Sequence, residues 1–374
     1  MSATTVQVRR AAKALLAAAV VTVPALAAAG SAQAAGPVPS SASVSSNTSS
    51  VPAVSAQAWS AGHLLAGAKV SAADAVEAYW TPARMRAAKP VEASPAYATA
   101  LATYSRKAAA DRTAKPKPVV GKPVSVAPKR GTVGSPAAGA YAATNPNLPY
   151  YAPTARTSGK VFFTMAGLNY QCSAKIVNSE GADTVWTAGH CVHGGKGGVW
   201  ATNWQFVPAY DDDLADPRPY GTWTAAQLWS KNDWINNSDF TADLGVAIMG
   251  TRNGTHIVNY LGGQGLRVNA GKNVTEDAFG YPAETPFDGG NLYRCNGQSS
   301  PETTVLWWSS ETIKISCNLT RGSSGGGWLN GYDGNWGWLN GINSRIDRIV
   351  NPTIMLSPYF DDTALSLYNT TRYL

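Results

Sequence analysis

Three residues in this sequence are of the types that make an acyl-transfer centre, and each sits in a setting that suits its role. Ser324 lies within Arg321-Gly322-Ser323-Ser324-Gly325-Gly326-Gly327. A serine hydroxyl is a weak nucleophile at neutral pH and needs a neighbouring base to take its proton. The glycines free the backbone to turn sharply and to aim amide N–H groups at one point, where a tetrahedral intermediate carries its negative charge. Thr187-Ala188-Gly189-His190-Cys191 offers the base, at the end of a strand formed by Val185-Trp186-Thr187. A base of this kind is usually oriented by a buried carboxylate. Asp243 opens Leu244-Gly245-Val246-Ala247-Ile248-Met249, an apolar strand that would bury the carboxylate beside the imidazole. Of the other histidines, His63 falls in the N-terminal region, His193 follows on a glycine-rich loop and is expected to face solvent, and His256 has no flanking pattern. Ser324 among its glycines is, taken alone, as readily a flexible turn as a nucleophile. His190 and Asp243 decide for the nucleophile, and the chemistry they imply is cleavage of peptide or ester bonds.

The elements that must position these groups are short strands. From about residue 158 the chain becomes rich in Trp, Tyr, Gly, Asn and Thr in alternating runs, separated by turns such as Asn330-Gly331, Asp333-Gly334 and Asn340-Gly341. No long amphipathic pattern interrupts them until Ser357–Thr370, which is expected to form a terminal helix. Short strands without crossover helices imply antiparallel barrels or sandwiches. Eleven tryptophans follow residue 185, including Trp307-Trp308 and Trp336-Gly337-Trp338, and they read as strand core rather than as sugar-stacking platforms. Asp211-Asp212-Asp213 lacks the alternating spacing of a calcium loop and reads as a solvated turn, so no metal and no cofactor is expected.

The first 150 residues have a different character. Arg9, Arg10 and Lys13 precede an apolar run from Ala14 to Ala29 and the small residues Ser31-Ala32-Gln33-Ala34-Ala35. This is the pattern of a secretory signal peptide over residues 1–35, cleaved after Ala34 or Ala35, and Pro24 argues against a membrane span. Residues 36–58 and 113–150 read as linker, with a helix near 71–88 whose capping box is Ser71 with Asp74 and which Pro82 breaks or kinks. Residues 1–150 carry 15 Lys/Arg against 4 Asp/Glu, whereas residues 151–374 carry 15 against 19. The basic balance is therefore confined to the part expected to be removed, and a nucleic-acid partner is unsupported. All four cysteines, Cys172, Cys191, Cys295 and Cys317, follow residue 170. In an exported chain this even count suggests two disulfides, among three possible pairings.

With these motifs in hand, residues 158 to 374 resemble the trypsin-like, chymotrypsin-fold serine peptidases, and look closest to the bacterial glutamyl-endopeptidase-like branch. The family's motifs are matched by Thr187–Cys191, by Asp243-Leu244-Gly245-Val246 and by Gly322–Gly326, in the family's order. The resemblance implies an all-β fold of two six-stranded antiparallel barrels with a C-terminal helix, preceded by a signal peptide and a largely disordered propeptide. The domains are expected at 1–35, 36–156 and 157–374, with the first barrel at about 157–255 and the second at about 256–374. It implies His190 as base, Asp243 as orienter, Ser324 as nucleophile, the amides of Gly322 and Ser324 as oxyanion hole, and disulfides Cys172–Cys191 and Cys295–Cys317. Asn318, Asn343 and Ser344 fall at the family's substrate-pocket positions. Asn318 stands where trypsin-like enzymes place Asp, so a strong preference for basic side chains is not expected. Ser323 stands where digestive members place the Asp that pairs with a newly cut N-terminus, so that switch is expected to be absent. Arg345 reads as a surface residue on a strand, the alternative being attraction of an acidic substrate side chain.

The reading that follows is a secreted, monomeric serine endopeptidase that acts on protein or peptide substrates. Its own basic propeptide would dock on the acidic domain, with Arg130 and Arg156 as processing points and no membrane association after signal removal. The alternative is a catalytically inactive protein- or wall-polysaccharide-binding protein on the same fold.

Overall fold

The computed structural model describes residues 48–52, 71–110, 121–134, 148–302, 311–347 and 353–374. The expected signal peptide at 1–35, His63 and Trp307-Trp308 lie outside the described residues.

Six strands form the first barrel: β1 Ser158–Met165, β2 Leu168–Ile176, β3 Thr184–Thr187, β4 Thr202–Pro208, β5 Trp223–Lys231 and β6 Gly245–Met249. They pair in the order β5-β6-β3-β2-β1-β4, all antiparallel, and pairing of β4 with β5 closes the sheet on itself. β1 and β2 are joined by Ala166-Gly167, both with positive φ, the hand of turn that matches the twist of a hairpin. β1 is buried along nearly its whole length rather than alternately. Its inner face fills the barrel, and other parts of the chain cover its outer face.

The second half uses β7 Gly265–Val268, β8 Thr275–Gly280, β9 Tyr293–Gln298, β10 Thr312–Ser316, β11 Gly327–Asn330, β12 Trp338–Ile342 and β13 Ile354–Pro358. β9-β8-β11-β12-β7 form one sheet, in which β7 lies parallel to β12. β10 and β13 form the centre of a second sheet. Ala278, Ile313, Ile315, Trp328 and Met355 pack between the two as a separate core. The terminal helix runs Asp362–Thr371, starting later than the sequence suggests because Ile354–Pro358 is taken up pairing with β10, and Asp361 then caps it. Trp186, Trp204, Trp223, Trp234 and Trp328 are all core residues, whereas Trp336 and Trp338 are half-buried.

The N-terminal segment holds more structure than its composition suggests. Helix α1 spans Ala72–Tyr79 with Ser71 as its N-cap, its hydroxyl accepting from Asp74 N and donating to the Asp74 carboxylate. Helix α2, Pro82–Ala87, restarts after the Pro82 break with Thr81 as its cap, and helix α3 spans Pro95–Ala110. The stretch read as linker after residue 113 supplies Val124–Val126, which extends the β9-β8-β11-β12-β7 sheet at β7, and Lys129–Arg130, which pairs with Gly262-Gly263. Thr48–Pro52 pairs with β5 of the first barrel. Each short strand gains order by borrowing a sheet edge, a contact that composition does not report. Trp80 and Met85 are wholly buried, and Val76 and Val91 nearly so, in the core shared with the first barrel.

Candidate active site

β3 delivers the chain through Ala188 into a one-turn 3-10 helix, Gly189–Cys191, which carries His190. The Cys172–Cys191 disulfide ties that turn to β2, and Cys295–Cys317 joins β9 to the end of β10. Asp243 ends another 3-10 turn, Phe240–Ala242, just before β6. β6 pairs with β3, so the two residues arrive side by side. One carboxylate oxygen, Oδ2, accepts from His190 Nδ1 at 2.8 Å and from Ser344 Oγ at 2.6 Å, while Oδ1 accepts the His190 backbone N–H at 2.8 Å. Both side chains are buried. Burial by itself pushes the His190 imidazole down, but the Asp243 charge and hydrogen bond, with the Glu92 carboxylate adding to them, hold it above the usual histidine range.

Ser324 comes from the loop preceding β11. That loop is held from several sides. Its Ser324 carbonyl accepts from Ser173 N at 2.7 Å, and Ser173 Oγ bridges the Gly322 carbonyl and Tyr281 N. Gly322 and Gly325 both have positive φ. At Gly325 a Cβ would lie 2.0 Å from Thr187 Oγ1 and 2.4 Å from the Ser173 carbonyl, so this position requires glycine both for conformation and for space. Ser323, in the position that would bear an Asp in the digestive members, is buried and donates to the Thr320 carbonyl at 2.7 Å.

The residues expected around the pocket fall into three different places. Ser344 is buried and holds Asp243. Asn343 is buried and fully used: Nδ2 donates to the Phe279 and Ser323 carbonyls at 2.8 and 2.9 Å, and Oδ1 accepts from Trp328 Nε1 at 2.7 Å. It braces the nucleophile loop and does not line the cleft. Asn318 is exposed, 3.7 Å from Cys295 Sγ, and also stands outside the cleft. The cleft beside Ser324 is lined instead by Arg321, Arg345, Ile346, Met355 and Leu356. Arg345 is buried rather than on the surface, with its guanidinium over the rings of Tyr104 and Phe240 at 4.9 and 5.5 Å. His193 also differs from expectation. It is buried, packs edge-on against Trp200 and accepts from Gly195 N, and burial pushes its imidazole down to about 4. His256 is half-exposed and pairs with Asp183 at 2.5 Å.

Two contacts to the site come from residues that no local motif marks out. The Glu92 carboxylate accepts from Ser324 Oγ at 2.5 Å and from Gly322 N at 3.1 and 3.2 Å. The Tyr97 ring stands edge-on to His190 with centroids 4.9 Å apart, and its hydroxyl reaches the Ser344 carbonyl at 3.5 Å. His190 Nε2, the nitrogen that would take a serine proton, has no hydrogen-bond partner.

No protein-family model matches the chain, and no curated protein sequence does. Solved structures do. A thermostable serine protease, AL20, from an extremophilic microorganism is 36% identical over 58% of this chain and 97% of its own, with a TM-score of 0.54. The protease Anisep from Arthrobacter nicotinovorans is 37% identical over 59% of this chain and 98% of its own, with a TM-score of 0.55. Identity at this level over nearly the whole of each protease, together with the closed first barrel and the two-sheet second half, shows that the chain belongs to the chymotrypsin-fold serine proteases.

Proposed function

We propose that the protein is a secreted serine endopeptidase that hydrolyses peptide bonds through an acyl-enzyme. The observation that carries this reading is the buried His190–Asp243 pair, locked by three hydrogen bonds, with Ser324 lining the adjoining cleft and the Gly322 amide donating to the same Glu92 carboxylate as Ser324. Asp243 fixes the tautomer with the proton on Nδ1, leaving Nε2 as base. In the reaction Ser324 Oγ attacks the scissile carbonyl carbon and its proton passes to His190 Nε2. The Gly322 and Ser324 amides hold the oxyanion. The C–N bond then breaks as His190 returns the proton to the leaving amine, and water repeats the sequence in reverse to release the acid.

Secretion rests on the signal-peptide pattern at 1–35, on the two disulfides and on the absence, among the described residues, of any helix long and apolar enough to cross a membrane. We further read residues 36–156 as a propeptide. Of its two basic processing points, Arg130 is exposed, whereas Arg156 is buried and donates to the Val133 carbonyl at 3.2 Å, so Arg130 is the accessible one. The test is a fluorophosphonate probe applied to the processed, secreted protein. The expected adduct is on Ser324, and a folded, processed sample that has lost the N-terminal segment and carries none would end the peptidase reading.

A further inference from the structure

The N-terminal segment reaches the cleft from a fixed anchorage. Trp80 is wholly buried, and its indole donates to the Asn203 carbonyl at 2.6 Å. Tyr79 Oη donates to Asn169 at 2.8 Å. After α2, Lys89-Pro90 pairs in parallel with Tyr170-Gln171, the part of β2 that leads directly into Cys172. A single 3-10 turn, Val91–Ala93, then presents Glu92. Ser94 caps the next turn by accepting from Tyr97 N, and α3 carries Tyr97 over His190 and Tyr104 against Phe240 and Arg345.

The chemistry at the tip is specific. A carboxylate oxygen occupies the hydrogen-bond position of the Gly322 amide, where the reaction would place a negatively charged oxygen. The same carboxylate accepts the Ser324 hydroxyl's hydrogen bond, so the nucleophile's O–H points at Glu92 and the base has no partner. The group at Ser324 is a side-chain carboxylate rather than a backbone carbonyl, so the segment offers no scissile bond there. Ser323 cannot supply a salt bridge to a new N-terminus, and Ser323 is in any case satisfied by Thr320.

Building on the peptidase reading, we propose that the cleft is made to hold residues 89–104 of its own chain as a resident inhibitor, with the Glu92 carboxylate occupying the oxyanion position and diverting the Ser324 proton from His190. Activation then consists of withdrawing Glu92, after which Ser324 Oγ turns to His190 Nε2 and the Gly322 amide is free. A cut in the chain beyond α3 does not accomplish this by itself, because the anchors at Trp80, Met85 and Val91 lie on the same side of the cut as Glu92.

The test compares full-length wild type with Glu92→Gln and Glu92→Asp, reacted with a fluorophosphonate. Labelling forms the Oγ–P bond and breaks P–F, with the proton going to His190, and intact mass restricts the measurement to molecules that keep the segment. Uncut wild type is expected to label slowly. Both variants are expected to label about 10- to 100-fold faster, the worth of one or two charge-assisted hydrogen bonds. The aspartate variant keeps the charge on a shorter arm, so a folded protein is secured in at least one of the pair, and thermal melting reports which. Uncut wild type labelling as fast as the processed protein overturns the proposal. So do variants that stay as slow as wild type while the processed protein labels fast, because the cover of α3 alone would then account for latency. Failure to label by protein from which residues 89–104 have been removed altogether is a different result: it removes the peptidase reading on which the proposal stands.

Discussion

Replacing Asp243 by Asn tests whether the carboxylate works by fixing the tautomer of His190. The two residues are nearly isosteric, so the geometry of the pocket is kept while the hydrogen-bonding pattern is not. If the new amide keeps its oxygen towards the His190 backbone N–H, its NH₂ replaces Oδ2 and points at His190 Nδ1 and Ser344 Oγ. Ser344 can rotate to accept, but Nδ1 must then accept as well, and the ring proton moves to Nε2, where the base needs a lone pair. In the opposite orientation the NH₂ faces the buried His190 N–H at the present 2.8 Å, two donors with no acceptor, which is the costlier arrangement. The first orientation therefore prevails, and kcat is expected to fall by about 10⁴-fold, equivalent to about 5 kcal/mol of transition-state stabilisation. A second signature follows from charge. Without the Asp243 carboxylate, burial dominates at His190 and its imidazole drops, so the acid limb of the residual activity moves to lower pH. Labelling rates at Ser324 and peptide turnover across pH 5–9, on the processed protein, measure both. A variant that keeps more than about a tenth of the wild-type rate, or whose acid limb stays in place, would refute the tautomer argument.

Two further substitutions probe the frame. Lys175 is wholly buried in β2, with its ammonium bonded to Ser158 Oγ and 4.2 Å from the Phe279 ring centroid, and burial pushes it down to about 7. Because the folded value lies below the unfolded one, the unfolded chain binds the extra proton between about pH 7 and 10, and stability rises with pH across that window. Lys175→Met is expected to stabilise the protein by about 2–4 kcal/mol at pH 6 and by less as the pH approaches 10, read from denaturant midpoints; a gain that does not shrink with pH contradicts the charge argument. Gly325→Ala is expected to cost about 3 kcal/mol or more and to abolish Ser324 labelling, since its Cβ meets backbone and Thr187. Gly167→Ala, with similar φ and open space, is expected to cost only about 1 kcal/mol, and equal costs at both sites would show that conformation alone decides.

What the sequence disclosed about this protein was local. Thr187–Cys191, Asp243–Met249 and Gly322–Gly326 each combine a reactive side chain with the strand or turn that presents it, so a short window contains both. Pairing of β6 with β3 then brings His190 and Asp243 together across 53 residues. The Ser71 N-cap and the break at Pro82 were legible for the same reason. Positions whose role depends on a distant surface were not. His193 sits among glycines, a local sign of a solvated loop, yet Trp200 and the Trp234 side chain, whose indole donates to the His193 carbonyl, enclose it. Arg345 is covered by Tyr104, which is 241 positions earlier in the chain. Glu92 is one of only 4 acidic residues among the first 150, an ordinary solvated carboxylate by every local criterion. Its partners lie 230 and 232 residues away, and nothing in the period or composition of residues 89–104 points to them.

The opposite charge balances of the two regions suggest that attraction holds the N-terminal segment on the protease domain, but the magnitudes point elsewhere. Among the described residues two ion pairs cross between them, Arg86–Asp212 at 3.0 Å and Lys107–Asp239 at 2.8 Å. Both cations are about half exposed, at 51% and 50%, and pairs so open to water and salt contribute about 0–1 kcal/mol each. Trp80, Met85, Val76 and Val91 are each 0–1% exposed. Burying side chains of this size contributes about 1.5–3 kcal/mol apiece, an upper figure because the free segment would bury part of that surface itself. The apolar anchors thus outweigh the ion pairs several-fold, and high salt should not dislodge the segment. This division of labour leaves the charged tip free for another purpose. Glu92 contributes about 1–3 kcal/mol to holding the segment, the worth of one or two charge-assisted hydrogen bonds and a minor share beside the four apolar anchors. Its larger effect is on Ser324, whose hydroxyl it turns towards itself, and on His190, which it leaves unpartnered.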